Sequence, residues 1–346
     1  MEDATGLIAR TRFSGCGAKL GPGILEKALC GLNQPAWPGL VTDFSGNEDA
    51  GLFRLGNGQD LAQTVDFFPP IVDDPFLFGR IAAANALSDI YAMGARPITA
   101  LALVCFPVRD LPLASLRAMM EGGLDALSEA GCALVGGHSI EDSEPKLGYM
   151  VTGLVESGQA WRNNTVREGL SLILTKPIGT GLVNMAMRAD CVSAAAREAA
   201  WRSMAQLNQV AAGILGGFSV AACTDVTGFG LLGHAAEMAQ NEVCGLTLSV
   251  GRVALLPDVM DYAAMGLVPE GTRRNREGRG QAILNAGACG AELFDILFDP
   301  QTSGGLLAAV PQALADGAVQ ALQAAGLQAC LVGESGGPPG KVSLIP

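Results

Sequence analysis

A thiol and an ammonium stand three residues apart on a glycine hinge, Ser14-Gly15-Cys16-Gly17-Ala18-Lys19. Gly15 and Gly17 accept backbone angles that a side chain forbids, and Gly21-Pro22-Gly23 extends the irregular run, so the segment can fold over a ligand. A lysine among the backbone amides of a glycine-rich turn suits polyphosphate, and a cysteine beside a cation is expected to have a lowered pKa and more thiolate. The pattern differs from GxxxxGK[ST], so a Walker-type P-loop is not indicated. A flexible tail with one incidental cysteine is the alternative. Acids form the second set. Glu48 and Asp49 close the loop that runs from Asp43 through Gly46 and Asn47; Asp66 ends an apolar strand; Asp89 lies on a helix; Asp225 ends a strand before Gly228-Phe229-Gly230. Hard cations are held by such oxygen ligands, and four aspartates on separate elements could bind more than one Mg²⁺ across a polyphosphate. Acids in a surface loop, or a helix acid paired with Arg80 or Arg96, are the plainer readings of Glu48 and Asp89.

These residues need elements to carry them. The spacing predicts a helix over Ile24–Leu32, a strand over Leu40–Thr42, and a hairpin from Leu52–Leu55 and Asp60–Val65 across Gly56-Asn57-Gly58. Phe76–Ala95 is expected to be a helix whose apolar face, Phe78, Ile81, Ala82 and Met93, also carries Asn85 and Asp89. An unpaired buried carboxylate is costly, which makes Asp89 a better metal candidate than Glu48. Asp73 and Asp74, before Pro75, are expected to turn the chain into that helix. Then follow a strand over Ile98–Phe106, a helix over Leu113–Ala130, and a strand over Cys132–Val135. That strand is expected to empty into a polar loop, Gly136-Gly137-His138-Ser139, against a phosphate or a partner subunit; His138 as a hydrogen-bonded turn residue is the alternative. A strand over Leu147–Val155 closes the first half.

Residues 157–169 read as a linker between a domain at 46–156 and another at 170–346, with 1–45 as a flexible glycine-rich segment. The second half is expected to hold strands at Leu170–Thr175, Phe218–Ala222, Leu306–Val310 and Gln328–Val332, and helices at Leu231–Ala239 and Pro311–Ala325. His234 is expected to pack or cap. Glu270-Gly271-Thr272-Arg273-Arg274-Asn275-Arg276, with Arg279, reads as a dense basic cluster that faces phosphate oxygens or an anionic partner, or else is a solvated loop. The tail after Gly333 is expected to be loosely held.

Composition sets the frame: 346 residues, 49% hydrophobic and 16% charged, with 46 glycines and 18 prolines, describe a folded chain of about two domains. A net charge of −12 argues against nonspecific nucleic-acid binding and against an anionic membrane surface. Nine cysteines with no CxxC pair read as mostly buried free thiols in a reducing cytoplasm. No signal-type segment and no membrane-length apolar run is evident.

The strings that carry these residues resemble selenophosphate synthetase, the selenide, water dikinase family, over nearly the whole chain. They are Gly15-Cys16-Gly17-Ala18-Lys19, Asp66-Phe67-Phe68-Pro69-Pro70-Ile71-Val72-Asp73, the run from Phe78 to Ile90, Gly136-Gly137-His138-Ser139-Ile140, Thr224-Asp225-Val226-Thr227-Gly228-Phe229-Gly230-Leu231-Leu232-Gly233-His234 and Asp299-Pro300-Gln301-Thr302-Ser303-Gly304-Gly305-Leu306-Leu307. The resemblance implies a two-domain α+β fold of the aminoimidazole ribonucleotide synthetase-like superfamily, dimerising through the N-terminal sheet. It implies the conversion of ATP, selenide and water into selenophosphate, orthophosphate and AMP, with Mg²⁺. It places Asp49, Asp89 and Asp225 on the metal. Lys19, Gly46, Asn47, Glu48, Asp66, Asp89, Gly137, His138 and Ser139 fall around the nucleotide, the last three from across a homodimer. Cys16 and Lys19 carry the chemistry, Cys16 at the position that handles selenium, and a selenium-delivery protein is an implied partner. Two departures stand out: Ala18 replaces a second cysteine, excluding a local dithiol, and Glu48-Asp49-Ala50 replaces Asp-Asp-Ala, lengthening one acidic arm.

Overall fold

The computed structural model describes residues 6–346 other than 21, 33, 43, 45 and 242. Part of the expected 1–45 segment, Gly21 of the hinge, and Asp43 of the acidic loop therefore lie outside the described residues.

In the first half, helix α1 (Pro22–Leu29) precedes strands β1 (Gly51–Arg54) and β2 (Gln59–Phe68), then helix α2 (Pro75–Ala92), β3 (Arg96–Phe106), α3 (Leu113–Glu129), β4 (Ala133–Glu141) and β5 (Lys146–Glu156). The five strands form one sheet in the order β1-β2-β5-β3-β4, antiparallel except for the β3–β4 pair. The hairpin, the long helix and the strands β3 and β5 fall where the apolar periodicity put them. Leu40 makes only an isolated bridge to Phe53, not a strand. Strand β2 continues to Phe68, so Asp66 lies inside it rather than at its end.

Helix α2 organises this half. Asp74 caps it, its Oδ1 accepting from the Leu77 amide at 2.8 Å, with Pro75 in the first turn. Every residue from Ile81 to Ala92 is buried, because one face lies on the sheet while others meet α3 and the second half of the chain. Its crossing with α3 depends on two glycines. A Cβ at Gly79 would stand 1.8 Å from the Met119 carbonyl oxygen, and one at Gly122 1.8 Å from that of Phe76. Since both obstacles are backbone, the helices must separate to admit a methyl group. We expect Gly79→Ala to destabilise the fold by about 3 kcal/mol, read as a lower urea midpoint, the upper end of the range for overpacking a core; an unchanged midpoint would mean that the crossing is looser than this.

Residues 157–169 contain no helix or strand. Beyond them come β6 (Leu170–Leu174), α4 (Thr180–Arg188), α5 (Ala194–Ala205), α6 (Gln209–Leu215), β7 (Ala222–Asp225), α7 (Gly230–Met238), β8 (Leu246–Ser249), α8 (Val259–Ala264), α9 (Glu270–Arg279), β9 (Ile283–Leu284), α10 (Ala291–Leu297), β10 (Leu306–Pro311), α11 (Gln312–Ala324), β11 (Cys330–Ser335) and β12 (Val342–Ile345). Seven strands make a mixed sheet in the order β7-β10-β6-β11-β8-β12-β9.

Three expectations for this half are corrected. Residues 216–218 form a 3-10 turn and Ser219 adopts a left-handed conformation, so the strand starts at Ala222. The arginine-rich stretch is helical, since α9 packs on α7 and α10. The tail is held: β12 pairs in parallel with both β8 and β9.

Candidate active site

Three carboxylates converge where the two halves meet. Asp49 precedes β1, Asp89 projects from α2, and Asp225 ends β7; one oxygen from each lies within 4.8 Å of the others. Asp49 accepts from the Thr224 hydroxyl at 2.9 Å and Asp89 from the Thr64 hydroxyl at 2.5 Å. Ser88, one helical residue before Asp89, accepts from the Asn208 side-chain amide at 2.8 Å. The second oxygens of Asp49 and Asp225 are buried without a hydrogen-bond partner. Burial first and mutual repulsion second hold the carboxyls of Asp49 and Asp89 well above the usual range, and burial also raises that of Asp225. Buried carboxylates with free lone pairs, each disfavouring the charge of the next, are the donor set that a hard divalent cation satisfies.

Beside this cluster lies the glycine hinge. Residues 15–18 form a 3-10 turn, and Lys19 reaches Asp66, its Nζ lying 2.9 Å from Oδ1 and 3.1 Å from Oδ2. Burial lowers the lysine's affinity for its proton, but the Asp66 carboxylate beside it reverses this, and the ammonium is held charged. Asn85, four residues before Asp89 on α2, joins the parts. Its Nδ2 donates to Asp66 Oδ2 at 2.7 Å, while its Oδ1 accepts from the Cys16 thiol at 3.2 Å and from the Ser303 amide at 2.8 Å. The Cys16 amide in turn donates to Thr302 Oγ1 at 3.1 Å.

The expectation that Cys16, beside a cation, has a lowered pKa and more thiolate is overturned. The thiol is only 1% exposed, and burial pushes it up to about 12 against the opposing pull of the lysine, so in this conformation it is neutral.

The other expected residues divide. Glu48 does not join the carboxylate cluster: Arg162 pairs with one of its oxygens and the Asn163 amide donates to the other at 3.1 Å. Gly46 and Asn47 lie on the same loop, where the Asn47 carbonyl accepts from Asn163 at 2.5 Å. Gly137, His138 and Ser139 are not in a loop. They sit within β4, exposed, opposite Ala102, Leu103 and Val104 of β3. Gly137 is required there, since a Cβ would stand 2.2 Å from the Ala102 carbonyl oxygen. Because β4 lies three places from β2 in the sheet, about 14 Å at the usual strand spacing, one chain does not bring them to Asp66.

His234 packs as expected, its ring 5.4 Å from that of Phe229 and its Nδ1 3.3 Å from Glu237. Three of the cluster's four arginines are spent on the protein itself, with Arg274 donating to the Gly17 carbonyl at 3.0 Å, Arg276 pairing with Asp295 and Arg279 with Glu237, while Arg273 is exposed. Asn85, Thr302 and Ser303 complete the site, yet none was assigned a role from sequence. The buried-face position of Asn85 and the polar run Gln301-Thr302-Ser303 were the available signals.

The geometry can now be set against known proteins. The model for the AIR synthase related protein N-terminal domain matches residues 47–155 and that for the C-terminal domain residues 167–344. A thiamine monophosphate kinase structure from Aquifex aeolicus superposes with a TM-score of 0.64 at 15% identity, over 93% of this chain and 94% of that one. At that identity the likeness speaks for the fold, which is the two-domain α+β architecture of AIR synthase-related proteins. Within that class, the chain is 47% identical to selenide, water dikinase from Pelobacter propionicus, covering 96% of this chain and 97% of the relative. It is 49% identical to the Geobacter metallireducens protein of the same name, over 94% and 95%. The chain belongs to the selenide, water dikinase family.

Proposed function

We propose that this protein makes selenophosphate from selenide, ATP and water, releasing AMP and orthophosphate. The observation that carries the reading is that one helix serves both polar sets: α2 gives Asp89 to the three-carboxylate cluster and, four residues earlier, Asn85, which binds both Asp66 of the Lys19 pair and the Cys16 thiol. The unpartnered oxygens of Asp49 and Asp225 fit Mg²⁺, with Asp89 as the third ligand. When bound, Mg²⁺ supplies charge neutralisation and polarisation of the nucleotide's phosphates.

The chain's own residues do the rest. Lys19 brings a fixed positive charge to the transferring group, against which the developing negative charge is stabilised. Asn85 orients both the counterion of that lysine and the thiol. The 3-10 turn at residues 15–18 covers the site and limits bulk water, which would otherwise compete with selenide for the transferred phosphoryl group; the one water of the reaction is a reactant that the site must still admit. Cys16, neutral and shielded, is placed to hold or hand over the selenium nucleophile rather than to act on phosphorus.

Support for a homodimer comes from the sheet. Val65, Phe67, Leu101, Val135 and Ile140 are exposed apolar residues on β2, β3 and β4, and β4 has an unpaired edge among the described residues. In such a dimer Gly137, His138 and Ser139 contribute to the partner's nucleotide site. We place the protein in the cytoplasm, consistent with nine free cysteines; among the described residues, no helix is long and apolar enough to cross a membrane.

Anaerobic phosphorus NMR with ATP and Mg²⁺, with and without selenide, tests the reaction. Selenide-dependent AMP and a selenophosphate resonance are expected, with Cys16→Ser reducing the selenophosphate signal. ATP turnover indifferent to selenide would instead point to the chemistry of another AIR synthase-related enzyme, and no turnover at all to a carrier.

A further inference from the structure

We propose that Arg188 is a positioning residue that latches the N-terminal segment over the site, and that helix α4 is the strut through which the C-terminal half sets the place of Cys16. The guanidinium of Arg188, at the last position of α4, donates to Ser14 Oγ from Nη2 at 2.6 Å and from Nε at 3.1 Å. The same Nη2 lies 3.1 Å from the Thr11 carbonyl, 3.2 Å from its hydroxyl and 3.4 Å from the Ile8 carbonyl. The guanidinium thus faces three residues that lead into the Cys16 turn, with Nε and Nη2 both on the Ser14 hydroxyl, a two-nitrogen grip that a single ammonium does not reproduce.

The opposite end of α4 fixes the other side of Cys16. Asp299 Oδ2 accepts from the Gly181 amide at 2.9 Å and from the Leu182 amide at 3.3 Å, satisfying donors of the first turn. Gln301 Oε1 accepts from the Gly179 and Thr180 amides at 2.8 and 3.1 Å. The Thr302 amide donates to Thr180 Oγ1 at 3.0 Å, and Thr302 Oγ1 then accepts the Cys16 amide. Lys176 secures the loop from behind, its Nζ donating to the Ser303 carbonyl at 2.9 Å. The stretch from Ser14 to Cys16 is therefore gripped at both ends of one nine-residue helix, about 13 Å long. The first half also holds the segment, through the Asp73 carboxylate on the Ile8 amide at 2.9 Å, the Pro69 carbonyl on the Gly15 amide at 3.0 Å, Asn85 on the Cys16 thiol and Asp66 on Lys19, but none of these reaches the residues from Thr11 to Ser14 that Arg188 grips. Arg188 touches none of the three clustered aspartates, so its effect reaches the chemistry only through the segment it holds.

The proposal rests on the reading of Cys16 and Lys19 as reactive residues, but its test needs no substrate. Cys16 is labelled with N-ethylmaleimide in the full-length protein and followed by peptide mass spectrometry. In Arg188→Met, loss of the latch is expected to raise the Cys16 rate about tenfold or more by populating the open segment, with Arg188→Lys between the two. Cys132 and Cys223, buried in the cores of the two halves, should label as in the parent. Selenide-dependent turnover should fall in Arg188→Met. An unchanged Cys16 rate overturns the proposal, as does a rise shared by Cys132 and Cys223, which would report general loosening.

Discussion

Asp225→Asn is expected to lower selenide-dependent AMP formation about 10³-fold, on the order of 4 kcal/mol of transition-state stabilisation, while making the metal-free protein more heat-stable. Both halves of this expectation follow from where the carboxylate sits. Asp225 is 1% exposed, and one of its oxygens has no partner. After burial, its charge is the largest influence raising the carboxyls of both Asp49 and Asp89. An amide of the same shape removes that repulsion, but it offers a divalent cation one charge fewer.

The pH dependence has a definite sign. Carboxyls whose folded pKa is raised bind more protons in the native state than in the unfolded chain, so their contribution is complete below about pH 4 and is lost as pH rises towards the folded value. The metal-free parent should lose thermal stability on going from pH 5 to pH 8. Asp225→Asn should flatten that slope, and Mg²⁺ should flatten it in the parent more than in the variant. Scanning calorimetry at several pH values, in chelator and in Mg²⁺, reads all of these. A variant less stable than the parent in chelator would mean that the three carboxyls share protons as a structural network, and the trade of stability for metal affinity would be wrong.

What the sequence made legible follows from the range of the forces involved. Helix α2 and the β1–β2 hairpin are written locally, in apolar spacing and an Asn-Gly turn, and the aspartates stood out because acids are costly on otherwise apolar elements. The strand β4 was hidden because Gly136-Gly137-His138-Ser139 has the composition of a loop. As an edge strand, exposed on both faces, it needs no apolar alternation, and only its pairing with β3 defines it. Strand β7 was placed too early because its partner, β10, lies some eighty residues away, and nothing local separates Phe218–Ala222 from the true strand. Proximity of Lys19 to Cys16 was visible, but the burial that outweighs it depends on Thr302, Ser303 and Asn85, which arrive from elsewhere. Arg188 lies 174 residues from Ser14, and a single arginine at the end of an apolar helix has no signature that marks it as a latch.

Lys19→Met is expected to reduce turnover by a factor of about 10² to 10³, the loss typical of removing one preorganised charge from a phosphoryl-transfer site. Two accounts predict this loss for different reasons. If Lys19 serves only as the counterion of Asp66, the methionine variant fails because it strands a carboxylate that is 8% exposed with the Asn85 amide as its remaining partner. Adding Asp66→Asn should then restore both stability and much of the activity. If Lys19 acts on the transferring group, the double variant recovers stability but stays inactive. The side chain is placed for the second role: it is about one-third exposed where Asp66 is not, and a lysine needed only as a buried counterion has no reason to keep an open side. Steady-state rates and urea midpoints of the two single variants and the double variant therefore separate the accounts, and recovery of turnover in the double variant would remove Lys19 from the chemistry.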